Sequence, residues 1–423
     1  MRRVLLISTY FTSDVAIGSA RMTGLAKYLR DFDWEPTVLT PELPSEPALP
    51  PGTIDVVEYP DVFVRVKKLL GREAHQSFSL GGDDGRSPIG DARRALLRGA
   101  QFLAVPDPFV GWYPAGLLAL RRLRVEGRRF DAILSSSNPK TPHLLGAAAH
   151  RIFDAPWVAD LRDFWTIDHY YPWAWPRRPL ERRLERRTLG AANAVVTVSS
   201  PYAERLSTFL GRPVETVLNG FDPAVWNEPP APLTSKLTFT YAGSFALGRR
   251  DPTMLLDALR RLADRDELAP EDVELHFYGR PDSHLAELAR QLGLADVVHQ
   301  HGYVTRSEVL RHERESHVLL LLFWNHPLEA GVVTGKAEYF GARRPILALG
   351  GPGGAMEELL RETGAGEYVH DGDAERLDQV LRTWYREFRA HGAVQYRGHR
   401  ERVLRLSQPE MARQFADILD RVA

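Results

Sequence analysis

Four segments of this sequence set charged and small residues at spacings that could do chemistry. The first is Tyr241-Ala242-Gly243-Ser244-Phe245-Ala246-Leu247-Gly248-Arg249-Arg250-Asp251-Pro252. Glycine lets a backbone approach a ligand closely, helix N-termini attract anions, and two guanidiniums can grip a diphosphate. The plainer reading is a surface turn whose arginines pair with Asp251. The second is Gly331-Val332-Val333-Thr334-Gly335-Lys336-Ala337-Glu338-Tyr339-Phe340. Its amides at residues 333–335 could hold phosphate oxygens, and Glu338 could accept from a ribose diol, as the acidic residue of dinucleotide sites does. Here the plainer reading is a capped helix with Lys336 and Glu338 in solvent. The third is Ala159-Asp160-Leu161-Arg162-Asp163-Phe164-Trp165, two carboxylates and an arginine beside aromatics. It suits sugar hydroxyls, or else an ion pair of Arg162 with either aspartate. The fourth, Ile17-Gly18-Ser19-Ala20-Arg21, lacks the second glycine of G-x-G-x-x-G, which disfavours a nicotinamide dehydrogenase.

Other suggestive runs read as structure. Gly350-Gly351-Pro352-Gly353-Gly354 has no Lys-Ser/Thr of a P-loop and reads as a strand-to-helix turn. Asp371-Gly372-Asp373 precedes a helical run and reads as an N-cap. There is no HExxH and no EF-hand loop. His143 and His169 stand alone, and the His299/His301 pair has no partner motif, so no metal is expected. The chain contains no cysteine, which removes disulfides, cysteine-ligated metals and cysteine nucleophiles and fits a reducing compartment.

The elements that must position these residues alternate. Strand patterns fall at residues 4–8, 38–40, 132–135, 157–160, 194–198 and 215–218, with helical patterns between them. A second series runs through strands at 237–242, 273–278, 297–300, 318–322 and 345–349. Such alternation predicts parallel α/β sheets. The proline-rich stretch Asn227-Glu228-Pro229-Pro230-Ala231-Pro232 reads as a linker. The expected division is therefore residues 1–226, a linker at 227–236, a second domain at 237–396, and a C-terminal helix at 397–423 returning to the first. In doubly wound sheets ligands sit outside the carboxyl ends of the strands, where the segments above lie. Two irregular stretches, 41–60 and 71–91, interrupt the first half and read as functional or mobile.

Composition sets the outer bounds. At 423 residues, with 44% hydrophobic and 26% charged, the chain suits two globular domains rather than disorder. Its 54 basic and 55 acidic residues leave a net charge of −1, which excludes a general nucleic-acid binder. Of the basic residues only Lys27, Lys67, Lys68, Lys140, Lys236 and Lys336 are lysines, the other 48 being arginine. The apolar run after Met1-Arg2-Arg3 reads as too short for a signal peptide. The run at 318–324 is far below a membrane span of about 20 residues. A cytoplasmic protein is expected. Arg93, Arg94, Arg98, Arg121, Arg122, Arg124, Arg128 and Arg129 keep peripheral contact with an anionic membrane open.

Taken together, four motifs resemble those of family 4 glycosyltransferases. They are Gly243-Ser244-x-x-x-Gly248-Arg249-Arg250-Asp251-Pro252, Pro156-Trp157-Val158-Ala159-Asp160-Leu161-Arg162-Asp163-x-Trp165, Leu218-Asn219-Gly220-Phe221-Asp222, and Thr334-Gly335-Lys336-x-Glu338-Tyr339. Pro106-Asp107 with Gly111-Trp112 is similar to one subgroup. The resemblance implies a GT-B fold, two Rossmann-like doubly wound parallel-sheet domains facing a cleft, and transfer with retention of anomeric configuration. It implies Arg249 and Arg250 on the donor diphosphate and Glu338 on the ribose. Gly243, Ser244, Gly279, Tyr303, Val304, Glu329, Val333, Thr334, Gly335 and Lys336 complete the donor set. A loop of Gly18, Ser19 and Arg21, with the Arg162–Asp163 turn, would close over sugar and acceptor. The sequence differs from the family pattern where Ala330 replaces a glutamate, with Glu329 one position away, and where Arg162 stands in place of a histidine. Lys336 also sits two residues before Glu338 rather than three.

The expected activity is transfer of a sugar from a nucleoside-diphosphate sugar to an acceptor hydroxyl, without a metal or separate cofactor. Two other classes stay open on sequence alone. A GT-B sugar-nucleotide epimerase would isomerise the donor without an acceptor, and a non-catalytic GT-B subunit would bind no sugar nucleotide.

Overall fold

The computed structural model describes residues 1–11, 19–41, 54–56, 98–169, 171–173, 175–245, 248–327, 337–351 and 353–423. Two units result, Met1–Leu218 with Met411–Ala423, and Asn219–Glu410. The proline-rich stretch belongs to the second of these. Arg314 pairs there with Glu228, and Arg344 Nη2 donates to the Ala231 carbonyl at 3.3 Å.

In unit 1 the strands are β1 (Arg2–Ile7), β2 (Trp34–Thr40), β3 (Ile54–Val56), β4 (Ala132–Ser137), β5 (Trp157–Leu161), β6 (Ala194–Thr197) and β7 (Glu215–Thr216). They pair in parallel in the order β3-β2-β1-β4-β5-β6-β7. Its helices are α1 (Ser19–Tyr28), α2 (Trp112–Val125), α3 (Thr141–Phe153), α4 (Arg177–Gly190) and α5 (Ser200–Leu210). Every residue of β4 and β5 is buried. Helices on both faces of a parallel sheet demand continuous apolar or hydrogen-bonded runs of this kind.

Unit 2 repeats the plan with β8 (Leu237–Ala242), β9 (Val273–Tyr278), β10 (Val298–Gly302), β11 (Val318–Phe323), β12 (Ile346–Gly350) and β13 (Gly366–Val369), in the order β10-β9-β8-β11-β12-β13. Its helices are α6 (Thr253–Asp264), α7 (Ser283–Gln291), α8 (Arg306–Glu315), α9 (Ala337–Ala342), α10 (Ala355–Thr363), α11 (Ala374–His391) and α12 (Arg400–Leu404). The final helix, α13 (Gln408–Val422), packs Met411, Phe415 and Leu419 into the core of unit 1. Asp373 caps α11 through the Arg376 amide at 3.1 Å, the N-cap expected from the sequence. In each sheet the order reverses once, between β1 and β4 and between β8 and β11. Crevices for ligands open at such switch points.

Two buried polar groups pin unit 1. Arg21 on α1 forms a bidentate pair with Asp160 on β5, Nη2–Oδ1 at 2.8 Å and Nε–Oδ2 at 2.9 Å, with both side chains essentially out of solvent. Ser136 adds a third donor to that carboxylate at 2.7 Å. His143 on α3 lies 2.9 Å from Ser135 Oγ, fully buried, and burial pushes its imidazole down to about 3. The unfolded chain, with an ordinary imidazole near 6.5, therefore binds the extra proton between pH 6.5 and 3. Stability should fall as pH drops below 6.5, by up to about 1.4 kcal/mol per pH unit for one proton. His143→Leu should show a shallower slope in urea unfolding followed across that range; an unchanged slope would contradict the assignment.

Candidate functional site

Several residues expected on the donor side sit at the switch point of unit 2. β8 is wholly buried, its Thr238 and Thr240 included, and the chain emerges at Gly243 directly onto the carboxyl edge of the sheet. Glycines tie three strand ends together there. The Gly243 amide donates to the Tyr278 carbonyl at 2.9 Å, and the Gly279 amide to the Gly302 carbonyl at 2.8 Å. At Gly279 φ is +142°, and a Cβ would fall 2.1 Å from the Gly243 carbonyl oxygen, so only glycine permits this approach. Tyr303 and Val304 follow β10 at the same edge, with Tyr303 largely exposed.

The loop after β8 carries both arginines. The Arg250 amide closes the turn onto the Phe245 carbonyl at 3.0 Å. Its guanidinium hydrogen-bonds the Tyr241 hydroxyl, while its Nε is buried with no partner among the described residues. Arg249 lies over the Trp324 ring, 4.6 Å from the centroid, and Trp324 is in turn stacked on His326 at 4.2 Å. Asp251 pairs with neither arginine. Its carboxylate instead accepts from the amide and hydroxyl of Thr253, at 2.9 and 2.5 Å, and so starts α6. The turn thus holds two cations whose adjacent carboxylate is committed elsewhere. Arg250 forms no ion pair among the described residues. Trp324 went unnoticed in the sequence because it ends an apolar run; an aromatic immediately after a strand was the available signal.

Glu338, on α9, accepts at Oε1 from Arg306 Nη2 at 2.6 Å and keeps little solvent exposure. Its neighbour Tyr339 accepts the Ala242 amide at 3.2 Å, which fixes α9 against the end of β8. Gly18, Glu329, Val333, Thr334, Gly335 and Lys336 lie outside the described residues. The glycine run after β12 is a turn, with Tyr368 donating to the Gly350 carbonyl at 2.5 Å.

In unit 1 the switch point holds a cavity of about 530 Å³. Its walls are largely aromatic, including Tyr10 after β1, Phe109, Phe164 and Trp165 after β5, Tyr171 and Trp173. Lys140, after β4, supplies a cation. It is buried, its Nζ donates to the Asp163 carbonyl at 2.8 Å, and burial lowers its pKa. Asp107 braces the floor rather than offering a free base. Its carboxylate accepts from Phe109 N, Lys140 N, Thr141 N and Thr141 Oγ1 at 2.6 to 2.9 Å. Burial pushes its carboxyl up against those four donors.

Arg162 turns to the β4 end, donating to the Ser137 and Asn138 carbonyls, while Asp163 is exposed. Asp160 pairs with Arg21, so the ion pair of the Arg162 turn is not made with that residue. Arg21 therefore spends its charge inside unit 1, also donating to the Leu218 carbonyl at 3.0 Å and lying over the Phe415 ring. Ser19 is buried at the start of α1. The sequence placed both in a closing loop; the structure builds them into a helix that holds the sheet. The cavity itself was missed, because its lining comes from separated segments whose aromatics look like core.

Residues 19–225 match the profile of Glycosyltransferase Family 4. No curated protein matches the sequence. Among solved structures, sucrose-phosphate synthase from Thermosynechococcus elongatus has a TM-score of 0.61 at 15% identity, covering 100% of this chain and 99% of that one. Anabaena Alr3699/HepE in complex with UDP and glucose gives 0.62 at 14% identity, with 100% of both chains covered. A glycosyltransferase from Rickettsia africae ESF-5 gives 0.58 at 13%, covering 100% and 98%. At such identities the likeness is one of fold.

Proposed function

We propose, for a chain that belongs to glycosyltransferase family 4 and has the GT-B fold, that unit 2 holds a nucleoside-diphosphate sugar and that its sugar passes to an acceptor hydroxyl with retention of configuration. One observation carries this reading: Arg249 and Arg250 project from the strand end at the switch point, Arg249 against Trp324, with Asp251 committed to Thr253. As the glycosidic bond to the diphosphate breaks, negative charge grows on phosphate oxygens and positive charge on the sugar ring. Two preorganised guanidiniums stabilise the first. They supply the charge a metal would otherwise bring, so the transfer needs none. No strong nucleophile stands among the described residues at either switch point. This suits a departing phosphate that takes the acceptor proton while the new bond forms on the same face. Glu338, shared with Arg306, is the ribose acceptor in this reading.

UDP sugars are the first donors to try, since one similar structure is of a complex with UDP-glucose. The aromatic cavity of unit 1 is the acceptor side, its faces suited to sugar or lipid carbons and Lys140 to an oxygen. Nearby, α4 exposes Arg178, Arg182, Arg183, Arg186 and Arg187, while Glu181 and Glu185 are buried. Trp175 is 84% and Leu103 80% exposed. An anionic membrane meets such a face favourably. Among the described residues no helix is long and apolar enough to cross a membrane.

One assay tests these claims. Protein with chelator, a panel of nucleotide sugars and acceptors displayed on anionic vesicles should sediment with the vesicles and yield a product with the donor's anomeric configuration by NMR. An inverted product overturns retention. Isomerised donor without transfer overturns the transferase reading, and protein left in the supernatant overturns the membrane contact.

A further inference from the structure

We propose that Glu274, His276 and His299 form a binding site for a borderline divalent cation of the Zn2+ or Ni2+ type, joining β9 to the edge strand β10. Alternation along β9 buries Val273, Leu275 and Phe277 and turns Glu274 and His276 to the other face. His299 is the register partner of His276 across the parallel pair. One ligand atom from each of the three lies within 4.8 Å of the other two, and Glu274 Oε2 stands 3.1 Å from His276 Nε2. Tetrahedral ligands bonded at about 2.0–2.1 Å sit roughly 3.4 Å apart, so this pair already has ligand spacing.

The surroundings orient the donors. Lys236 Nζ holds Glu274 Oε1 at 3.1 Å, with Oε2 turned toward His276. His276 Nδ1 lies 2.7 Å from His301 Nε2. A ligating imidazole characteristically gives its second nitrogen to such an outer partner, which fixes the tautomer. His299 Nε2 is buried with no hydrogen-bond partner among the described residues. His312 on α8 faces the cluster through Tyr278, with ring centroids 4.9 Å apart. Two imidazoles and one carboxylate select Zn2+, Ni2+ or Co2+ over Mg2+ or Ca2+.

On binding, metal–nitrogen and metal–oxygen bonds form, His276 supplying its Nε2 lone pair while its one ring proton sits on Nδ1, facing His301. The cation braces two strands and lies off the transfer reaction. Tag-free, chelator-stripped protein titrated calorimetrically with ZnCl2 or NiCl2 should show one site per chain. Zn2+ should raise the melting temperature, and Mg2+ should do neither. His299→Gln and Glu274→Gln should each weaken Zn2+ by about tenfold or more, and His301→Gln by about tenfold as an outer partner. Circular dichroism checks that the variants fold. No saturable binding, equal binding of Mg2+, or unchanged affinity in His299→Gln and Glu274→Gln would overturn the site.

Discussion

Arg250→Ala should lower kcat/KM by about a hundredfold or more, on the order of 3 kcal/mol of transition-state stabilisation, with the fold intact. The expectation follows from where the charge sits. Arg250 leaves the strand end through a turn closed by its own amide on Phe245. Its guanidinium has the Tyr241 hydroxyl as a neutral partner and no carboxylate among the described residues. Removing it uncovers no buried anion, so stability should change little while the cation proposed to meet the leaving group is lost. Arg250→Lys should recover only part of the activity, because an ammonium cannot reproduce a planar fork on a diphosphate. The loss should fall mainly on kcat if the contact strengthens as phosphate charge grows. Arg249→Ala should cost less, since Arg249 is shared with the Trp324 face. Steady-state kinetics with a verified donor decide the matter, and wild-type turnover in Arg250→Ala would sink the diphosphate assignment.

Removing the other prominent arginine gives the opposite signature. Arg21→Met should destabilise unit 1 by about 3–5 kcal/mol, because it strands the Asp160 carboxylate, wholly buried, with the Ser136 hydroxyl as its remaining donor among the described residues. Arg21→Met with Asp160→Asn together should recover much of that loss, since replacing both charges of a buried pair costs far less than removing one. Chemical denaturation of the three variants measures the coupling. If Arg21 instead met the acceptor, the single variant would keep its stability and lose only kcat/KM.

The contrast between these two arginines marks what a sequence can disclose. Strand patterns were legible where burial on both faces forced a continuous apolar run, as in β11, and the glycine-arginine turn could be placed because it follows the β-branched and aromatic run of β8. Arg21 and Asp160 are 139 positions apart. Nothing local distinguishes a buried guanidinium from a solvated one, and only the approach of α1 to β5 decides its role. The same holds for His299, whose partners Glu274 and His276 sit on the neighbouring strand and carry no spacing motif. Glu338 was legible as an acidic residue at a helix start, but its pairing with Arg306 on α8 was not. Residues whose task is set along the chain could be read; those whose task is set across the sheet could not.

Central to this account is a nucleoside diphosphate held by the two arginines of unit 2. The most direct measurement is calorimetric titration of UDP, GDP and dTDP into the wild-type protein and into Arg249→Ala/Arg250→Ala. At least one nucleotide should bind the wild type, with affinity reduced by about two orders of magnitude in the double variant, or roughly 3 kcal/mol. Equal affinity in the two proteins, or no binding of any of the three to the wild type, would contradict it.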